Sequence, residues 1–232
     1  MLADDNFGTI VAAVEEGRVV FSNVKEFDHY LFSCNLSEIL TMFIVTLASL
    51  LLPLLPLQIL WLNLVTDVFP ALALAGEPAE PGIIQCPPPE CTRRQGQPAS
   101  FLRSVVSQGT LLTIATLSAF VWALGNSSDI QRATTVAFLA LGLTQLFHAF
   151  NSRSESGSVF SCGVSGNRAL WAAVGLTIIL ELGAVYLPAA QTILKTVAPT
   201  PIEWLVIIIA SLLPALVVEL YKLWVGKNHS RR

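Results

Sequence analysis

Two acidic side chains lie inside long apolar stretches of this sequence. Glu38 lies within residues 27–52, and Asp67 lies within residues 58–76. An ionisable group inside a membrane-spanning helix costs about 2.5–3.5 kcal/mol on insertion scales, so such a group usually has a function. Two of them on consecutive apolar stretches predict one shared, oxygen-lined site for a cation.

Hydrogen-bonding neighbours accompany each acid at helical spacing. Asn35 lies three residues before Glu38, and Asn63 and Thr66 share a helix face with Asp67. A short hairpin joins the two stretches, so we expect antiparallel helices whose polar faces meet near the middle of the bilayer. Carboxylate, amide and hydroxyl oxygens suit Ca²⁺, Mn²⁺ or an alkali cation better than zinc or copper. The alternative is that these carboxyl and amide groups only hydrogen-bond neighbouring helices.

Three residues elsewhere in the apolar stretches bear on the same site. Pro70 has no N–H to donate to the carbonyl of Thr66, so that carbonyl is a further candidate cation ligand. The alternative is that Pro70 only kinks the helix and a hydroxyl group or a water molecule hydrogen-bonds the freed carbonyl. Gln145, in the fourth stretch, is a neutral candidate ligand, with hydrogen bonding between helices as the rival interpretation. Glu181, in the fifth stretch, is expected to have a hydrogen-bonded structural role.

The composition indicates a chain that lies largely within lipid. Of its 232 residues, 53% are hydrophobic and only 12% are charged, and the mean hydropathy is +0.65. A soluble domain carries about 25% charged residues. The net charge of −3 gives no reason to expect a nucleic-acid partner. Cys34, Cys86, Cys91 and Cys162 form no zinc-binding pattern and are expected to be free thiols.

Six stretches reach the roughly 17–25 apolar residues that a spanning helix needs. They cover residues 27–52, 58–76, 102–124, 133–150, 169–187 and 202–224. Residues 1–26 mix apolar and acidic side chains at helical period, which predicts a water-exposed helix running through Gly17 into the first span. The predicted fold is therefore an all-α membrane protein, a six-transmembrane-helix bundle with a short cytosolic stalk helix at its N-terminus.

The distribution of Lys and Arg predicts the orientation of the bundle. With six spans, eleven of the thirteen basic residues fall on the side that holds both termini, and only Arg132 and Lys195 fall on the other. Because positive charge concentrates on the cytosolic side, we expect a multi-pass protein of the cell membrane with both termini in the cytosol. The acidic residues 1–6 lack the basic region of a signal peptide, so none is expected.

Several motifs along the chain, in order, resemble those of the type II P-type cation-transporting ATPases, and in particular bacterial members similar to calcium pumps. The motifs are residues 4–18, Asn35-Leu-Ser-Glu38, residues 58–67, Glu77-Pro78 and residues 151–155. The resemblance covers essentially the whole chain. It implies that residues 1–26 are the end of the phosphorylation domain and the stalk. It also implies that residues 27–232 are the C-terminal transmembrane domain, with the six spans as pump helices five to ten.

The resemblance also implies roles for particular residues. It assigns cation-ligand roles on pump helices five, six and eight to Asn35, Glu38, Asn63, Thr66, Asp67 and Gln145. Gln145 falls where two-ion calcium pumps carry Glu, and one carboxylate fewer makes a second divalent ion electrostatically harder to hold. The resemblance therefore predicts Ca²⁺ as the transported ion, one per cycle, with Mn²⁺, Na⁺ and H⁺ left open.

The phosphorylation, dephosphorylation and nucleotide-loop motifs of these pumps do not occur in the sequence. We therefore expect no ATP hydrolysis by this chain alone, and ATP and Mg²⁺ would act only in an intact pump. The expected partners are membrane lipid and the missing N-terminal portion, which comprises the actuator, nucleotide and phosphorylation domains and helices one to four. Met1 would then be an internal family position, and the chain a split, truncated or excised pump.

Two other functions remain open at this point. The chain could be a stand-alone channel-like or regulatory membrane subunit without ATPase activity, or a fragment without function. The upstream reading frame separates these possibilities. A neighbouring segment that encodes the phosphorylation motif favours a split or truncated pump, whereas a complete unrelated gene favours the stand-alone subunit.

Overall fold

The computed structural model describes residues 7–77, 98–127, 129–153 and 167–229, and within them all regular structure is helical. The elements are α1 (Phe7–Leu47), α2 (Pro56–Trp61), a π-helical segment (Leu62–Asp67), α3 (Val68–Ala75), α4 (Pro98–Asn126), α5 (Ile130–Asn151), α6 (Arg168–Tyr186), α7 (Pro188–Leu194) and α8 (Pro201–His229). Cys86, Cys91 and Cys162, and most of the two predicted loops that hold them, lie outside the described residues.

Six helical stretches in the described part of the chain are long and apolar enough to cross a membrane, which confirms the predicted all-α, six-helix fold. They are Thr9–Leu47, Pro56–Ala75, Ala99–Asn126, Ile130–Asn151, Arg168–Tyr186 and Pro201–Trp224. Each overlaps one predicted span. The largest differences are at the first span, which begins far earlier and ends five residues sooner than predicted.

The first helix, α1, is one unbroken rod of 41 residues. It passes through Gly17 without a break, as the sequence predicted. At about 1.5 Å per residue it is about 60 Å long, twice the roughly 30 Å of a bilayer's hydrocarbon core. The same helix therefore crosses the bundle and extends well beyond it.

A left-handed residue ends α1 before the predicted boundary. Ser49 has φ of 53°, and the amides of Ser49 and Leu50 donate back to the carbonyls of Thr46 and Val45 at 3.0 and 3.1 Å. These two bonds are those of a Schellman cap, which satisfies the last carbonyls of the helix. The chain then turns into α2, which begins at Pro56, where a missing N–H costs nothing.

The central helix of the bundle is α5. Its spanning window is 83% buried, against 28% for α8. It packs against α4 and α8, while α1 packs against α4 and α3, and α3 packs against α6. The exposed large apolar side chains of α8, such as Ile209 and Leu216, are those expected to face lipid.

A buried polar network ties the end of α3 to three other elements. Both Nε and Nη2 of Arg153 donate to Oε1 of Glu77, at 2.9 and 2.5 Å. Asn167 Nδ2 donates to the other carboxylate oxygen at 2.6 Å, and Asn23 Nδ2, on α1, donates to the Glu77 carbonyl at 2.8 Å. The network therefore fastens the second span to α1 beside the extended part of that helix.

Candidate cation site

The bundle places all six predicted ligands on three neighbouring elements. Asn35 and Glu38 lie on α1, Gln145 lies on α5, and the remaining three lie on the π-helical segment: Asn63, Thr66 and Asp67. The helix pair joined by the hairpin is antiparallel, as predicted. The central position of α5 then brings Gln145 against both members of that pair.

Glu38 is the point at which the three elements meet. Asn63 Nδ2 donates to its Oε2 at 2.9 Å, and Gln145 Nε2 donates to its Oε1 at 3.0 Å. Only 5% of Glu38 is exposed. Both carboxylate oxygens are thus held by amides from two different elements, so the carboxylate points into the bundle and not into lipid.

Asp67 is less completely paired than Glu38. Its Oδ2 accepts from Asn35 Nδ2 at 3.5 Å, the outer limit of hydrogen bonding. Its Oδ1 is buried and has no hydrogen-bond partner among the described residues. Gln145 Oε1 is likewise buried and unpartnered. Unpaired buried oxygens are rare because each forfeits its hydration, and they are therefore candidate ligand atoms.

Pro70, three residues beyond Asp67, removes a backbone donor just after the π-helical segment. Pro70 has no N–H, so neither an α-helical nor a π-helical bond from it can reach the carbonyls of Thr66 and Val65. Tyr30 OH, on α1, donates to the Thr66 carbonyl at 2.9 Å. Thr177 Oγ1, on α6, lies 3.3 Å from the Val65 carbonyl and 3.0 Å from that of Ala173, and its one proton can go to either.

The Thr66 carbonyl, which the sequence offered as a further ligand, already accepts one hydrogen bond, and its role as a cation ligand stays a prediction. The bond comes from the hydroxyl of Tyr30 on another helix, which is a form of the alternative interpretation, that a hydroxyl group hydrogen-bonds the carbonyl at the kink. The sequence analysis missed Tyr30, although a signal exists. Tyr30, Ser33, Ser37 and Thr41 recur at intervals of three or four residues along α1, and all four are fully buried.

Glu181 approaches the site through the side chain of Thr66. Thr66 Oγ1 donates to Glu181 Oε1 at 3.1 Å, in agreement with the hydrogen-bonded role expected for this acid. Its Oε2 is buried without a partner among the described residues. Proximity to a predicted ligand was not anticipated, because Glu181 lies more than 100 residues further along the chain.

The acids of the site are not paired with basic side chains. Within the described part of the chain, no Lys, Arg or His forms an ion pair with Glu38, Asp67 or Glu181. Nor does any group of three His, Cys, Asp or Glu side chains gather there as a compact metal cluster. The donor set is instead two carboxylates completed by amides and one hydroxyl, a hard oxygen set that suits Ca²⁺ and similar cations.

Comparison with known proteins identifies the family. Residues 51–224 match the family described as "Cation transporting ATPase, C-terminus". The chain belongs to this family. Membership confirms the resemblance drawn from the motifs and, together with the six apolar helices, establishes a multi-pass membrane protein of the cation-transporting ATPase family.

Individual relatives extend the match across the first span. A "Calcium-transporting ATPase" of Bacillus subtilis is 42% identical over 219 residues, covering 92% of this chain and 24% of that protein. "Calcium-transporting ATPase 1" of Bacillus cereus is 33% identical and covers 96% of this chain and 27% of that protein. "Probable cation-transporting ATPase F" of Mycobacterium tuberculosis is 35% identical, and the match covers 84% of this chain and 22% of that protein. The chain thus spans about a quarter of the length of the curated relatives that it matches.

Proposed function

We propose that this cation-transporting ATPase domain is the C-terminal membrane part of an ATP-driven pump and supplies its intramembrane cation site. The observation that carries the proposal is the convergence of Glu38 and Asp67, from two consecutive spans, in a buried position where neither is paired with a basic side chain among the described residues. The transported ion is Ca²⁺, one per cycle, in keeping with the all-oxygen ligands and with the printed names of the two Bacillus relatives. Mn²⁺ and Na⁺ share this ligand preference and are outcomes of the transport assay.

The hydrogen bonds at the site indicate how an ion would enter it. In the arrangement described, amide N–H groups of Asn63 and Gln145 occupy the two oxygens of Glu38. A cation would take the place of these donors, and the amides would then turn to present their oxygens. Six to eight oxygens typically surround Ca²⁺, and the two carboxylates, three amides and Thr66 hydroxyl supply most of that number.

The long helix α1 provides the mechanical link to the rest of the pump. Asn35 and Glu38 lie on the same rigid rod as the extension that begins at Phe7. Displacement of that extension by a phosphorylated domain would move both ligands relative to Asp67 and open the site to one side of the membrane. ATP and Mg²⁺ would act in the N-terminal portion of the pump, which is the proposed partner of this domain.

The proposed location is the cell membrane, with both termini in the cytosol. The Lys and Arg asymmetry supports this orientation.

A chimeric pump tests the proposal. The Bacillus subtilis relative, with its last quarter replaced by this chain, should form a Ca²⁺-dependent phosphoenzyme and take up radiolabelled Ca²⁺ into vesicles. Asp67→Asn should abolish both, because it removes a charge from the site. Glu203→Gln is the matched control and should leave both intact, because Glu203 pairs with Arg132 at the other end of the bundle. Unchanged Ca²⁺ dependence in Asp67→Asn would remove the site from the mechanism.

A further inference from the structure

Glu181, on α6, is a third buried carboxylate, and it contacts the candidate ligand Thr66. It is 1% exposed and forms no ion pair among the described residues. Its single hydrogen bond in this part of the structure comes from Thr66 Oγ1. A buried acid whose second oxygen has no partner is costly unless something else compensates it.

The packing around Glu181 leaves room for it at one position on the central helix. A Cβ atom on Gly142 would lie 2.9 Å from Glu181 Oε1 and 3.1 Å from Leu62 Cδ2. The absence of a side chain at Gly142 therefore lets the carboxylate approach the backbone of α5. Leu62 begins the π-helical segment, so the carboxylate reaches the junction of α5 and α6 with the segment that carries Asp67.

The central helix connects this point to Glu38. Gly142 precedes Gln145 by three residues on one face of α5, and Gln145 donates to Glu38. Three residues rise about 4.5 Å along a helix. Glu181 and Gln145 thus meet α5 one helical turn apart, and Gln145 in turn holds Glu38.

We propose that Glu181 is a further carboxylate ligand of the transported cation, on the side of the site that Thr66 faces. This inference rests on the proposed function. Thr66 gives its hydroxyl proton to Glu181, which leaves the lone pairs of that hydroxyl for the ion. Glu181 would thus add a carboxylate to the site from a helix other than the one that carries Gln145.

A direct binding measurement on the full 232-residue chain tests the inference. Tb³⁺ prefers the same oxygen ligands as Ca²⁺, and its emission is sensitised by a nearby tyrosine such as Tyr30. The chain in lipid nanodiscs is titrated with Tb³⁺, and bound Tb³⁺ is then displaced with Ca²⁺. Glu181→Gln keeps the acceptor for Thr66 but removes the charge, so we expect its Tb³⁺ affinity to fall at least about tenfold. The matched control Glu203→Gln should titrate like the unmodified chain.

A second variant tests the inference if Glu181→Gln does not fold. Gly142→Ala keeps the Glu181 charge but forces its carboxylate away from α5, and should also weaken Tb³⁺ binding. Gly109→Ala is its control. That glycine also lies at a close helix contact, 3.1 Å from Leu36 Cδ2, but it has no carboxylate among its nearest atoms.

Asp67→Asn, measured in the same titration, separates the two proposals. Weaker binding in both Asp67→Asn and Glu181→Gln supports both proposals. Weaker binding in Asp67→Asn with unchanged affinity in Glu181→Gln overturns the role of Glu181 alone and leaves the site itself in place. If Asp67→Asn binds Tb³⁺ like the unmodified chain, or the unmodified chain binds none, the proposed site fails and the inference fails with it.

Discussion

Removal of the Tyr30 hydroxyl should destabilise the bundle only while Pro70 is present. The hydroxyl donates to the Thr66 carbonyl at 2.9 Å, and Pro70 deprives that carbonyl of its intrahelical donor. Tyr30→Phe therefore leaves a fully buried carbonyl without a partner. In a Pro70→Ala background, the restored N–H of residue 70 can satisfy the same carbonyl, so the loss of the hydroxyl should matter much less.

The magnitude depends on the groups that each background leaves unpaired. Hydrogen bonds between membrane helices contribute about 0.6 kcal/mol on average, with a maximum near about 1.7 kcal/mol. The Tyr30 bond should lie near the upper end, because an unsatisfied buried acceptor costs about 1–3 kcal/mol. We expect Tyr30→Phe to lower the free energy of unfolding by about 1.5 kcal/mol when Pro70 is present, and by under about 0.5 kcal/mol in the Pro70→Ala background. The coupling between the two positions is then about 1 kcal/mol.

Reversible unfolding in mixed detergent micelles, followed by tryptophan fluorescence, measures all four proteins of this double-mutant cycle. Tyr186→Phe is the matched control. Tyr186 is half exposed and its hydroxyl contacts only the indole of Trp204 among the described residues, at 3.0 Å, so its loss should change stability by less than about 0.5 kcal/mol. Equal effects of Tyr30→Phe in both backgrounds would refute the claim that the Tyr30 hydroxyl takes the place of the missing Pro70 N–H.

Two further predictions concern the charges of the bundle. Gln145→Glu replaces an amide donor to Glu38 with a second carboxylate. The unfolding temperature of this variant should fall in the absence of divalent cations and rise when Ca²⁺ is added. An unfolding temperature that does not change with Ca²⁺ would indicate that position 145 lies outside the site. Glu77→Gln removes the carboxylate charge that pairs with the buried Arg153, whose side chain is 3% exposed. The expected cost is about 3 kcal/mol of unfolding free energy, the lower end for a broken buried pair, because Arg153 keeps other contacts. Glu203→Gln breaks the ion pair with Arg132, whose side chain is 32% exposed, and should lower the free energy of unfolding by no more than about 1 kcal/mol. Similar losses of stability in Glu77→Gln and Glu203→Gln would contradict the claim that burial makes the Glu77 pair more important.

The spans were predictable because the energetic signal is local. An apolar stretch of sufficient length is by itself enough to predict a membrane-spanning helix, and all six predicted spans overlap observed helices. The meeting of the polar faces of the first two spans was predicted from helical spacing and a short hairpin, and the structure shows it in the hydrogen bond from Asn63 to Glu38. The end of α1 was predicted five residues too late, because the Schellman cap depends on Ser49 adopting a left-handed conformation that few serines adopt.

The parts that could not be predicted depend on contacts between distant segments. A proline in a helix indicates a lost hydrogen bond, but not which residue replaces it. Tyr30 does so here from a position 36 residues earlier. The approach of Glu181 to Thr66 spans 115 residues and depends on Gly142 lacking a side chain. Such contacts follow from how the helices pack, and helical periodicity within one segment does not contain that information.

The most direct test of the central claim is to locate the ion. Anomalous diffraction from the chimeric pump, crystallised with Tb³⁺ in place of Ca²⁺, would place the bound ion relative to the two spans. We expect a single intramembrane peak within about 2.6 Å of carboxylate oxygens from both Glu38 and Asp67. A peak that contacts neither carboxylate, or only one of them, would contradict the claim that the two spans hold the ion together.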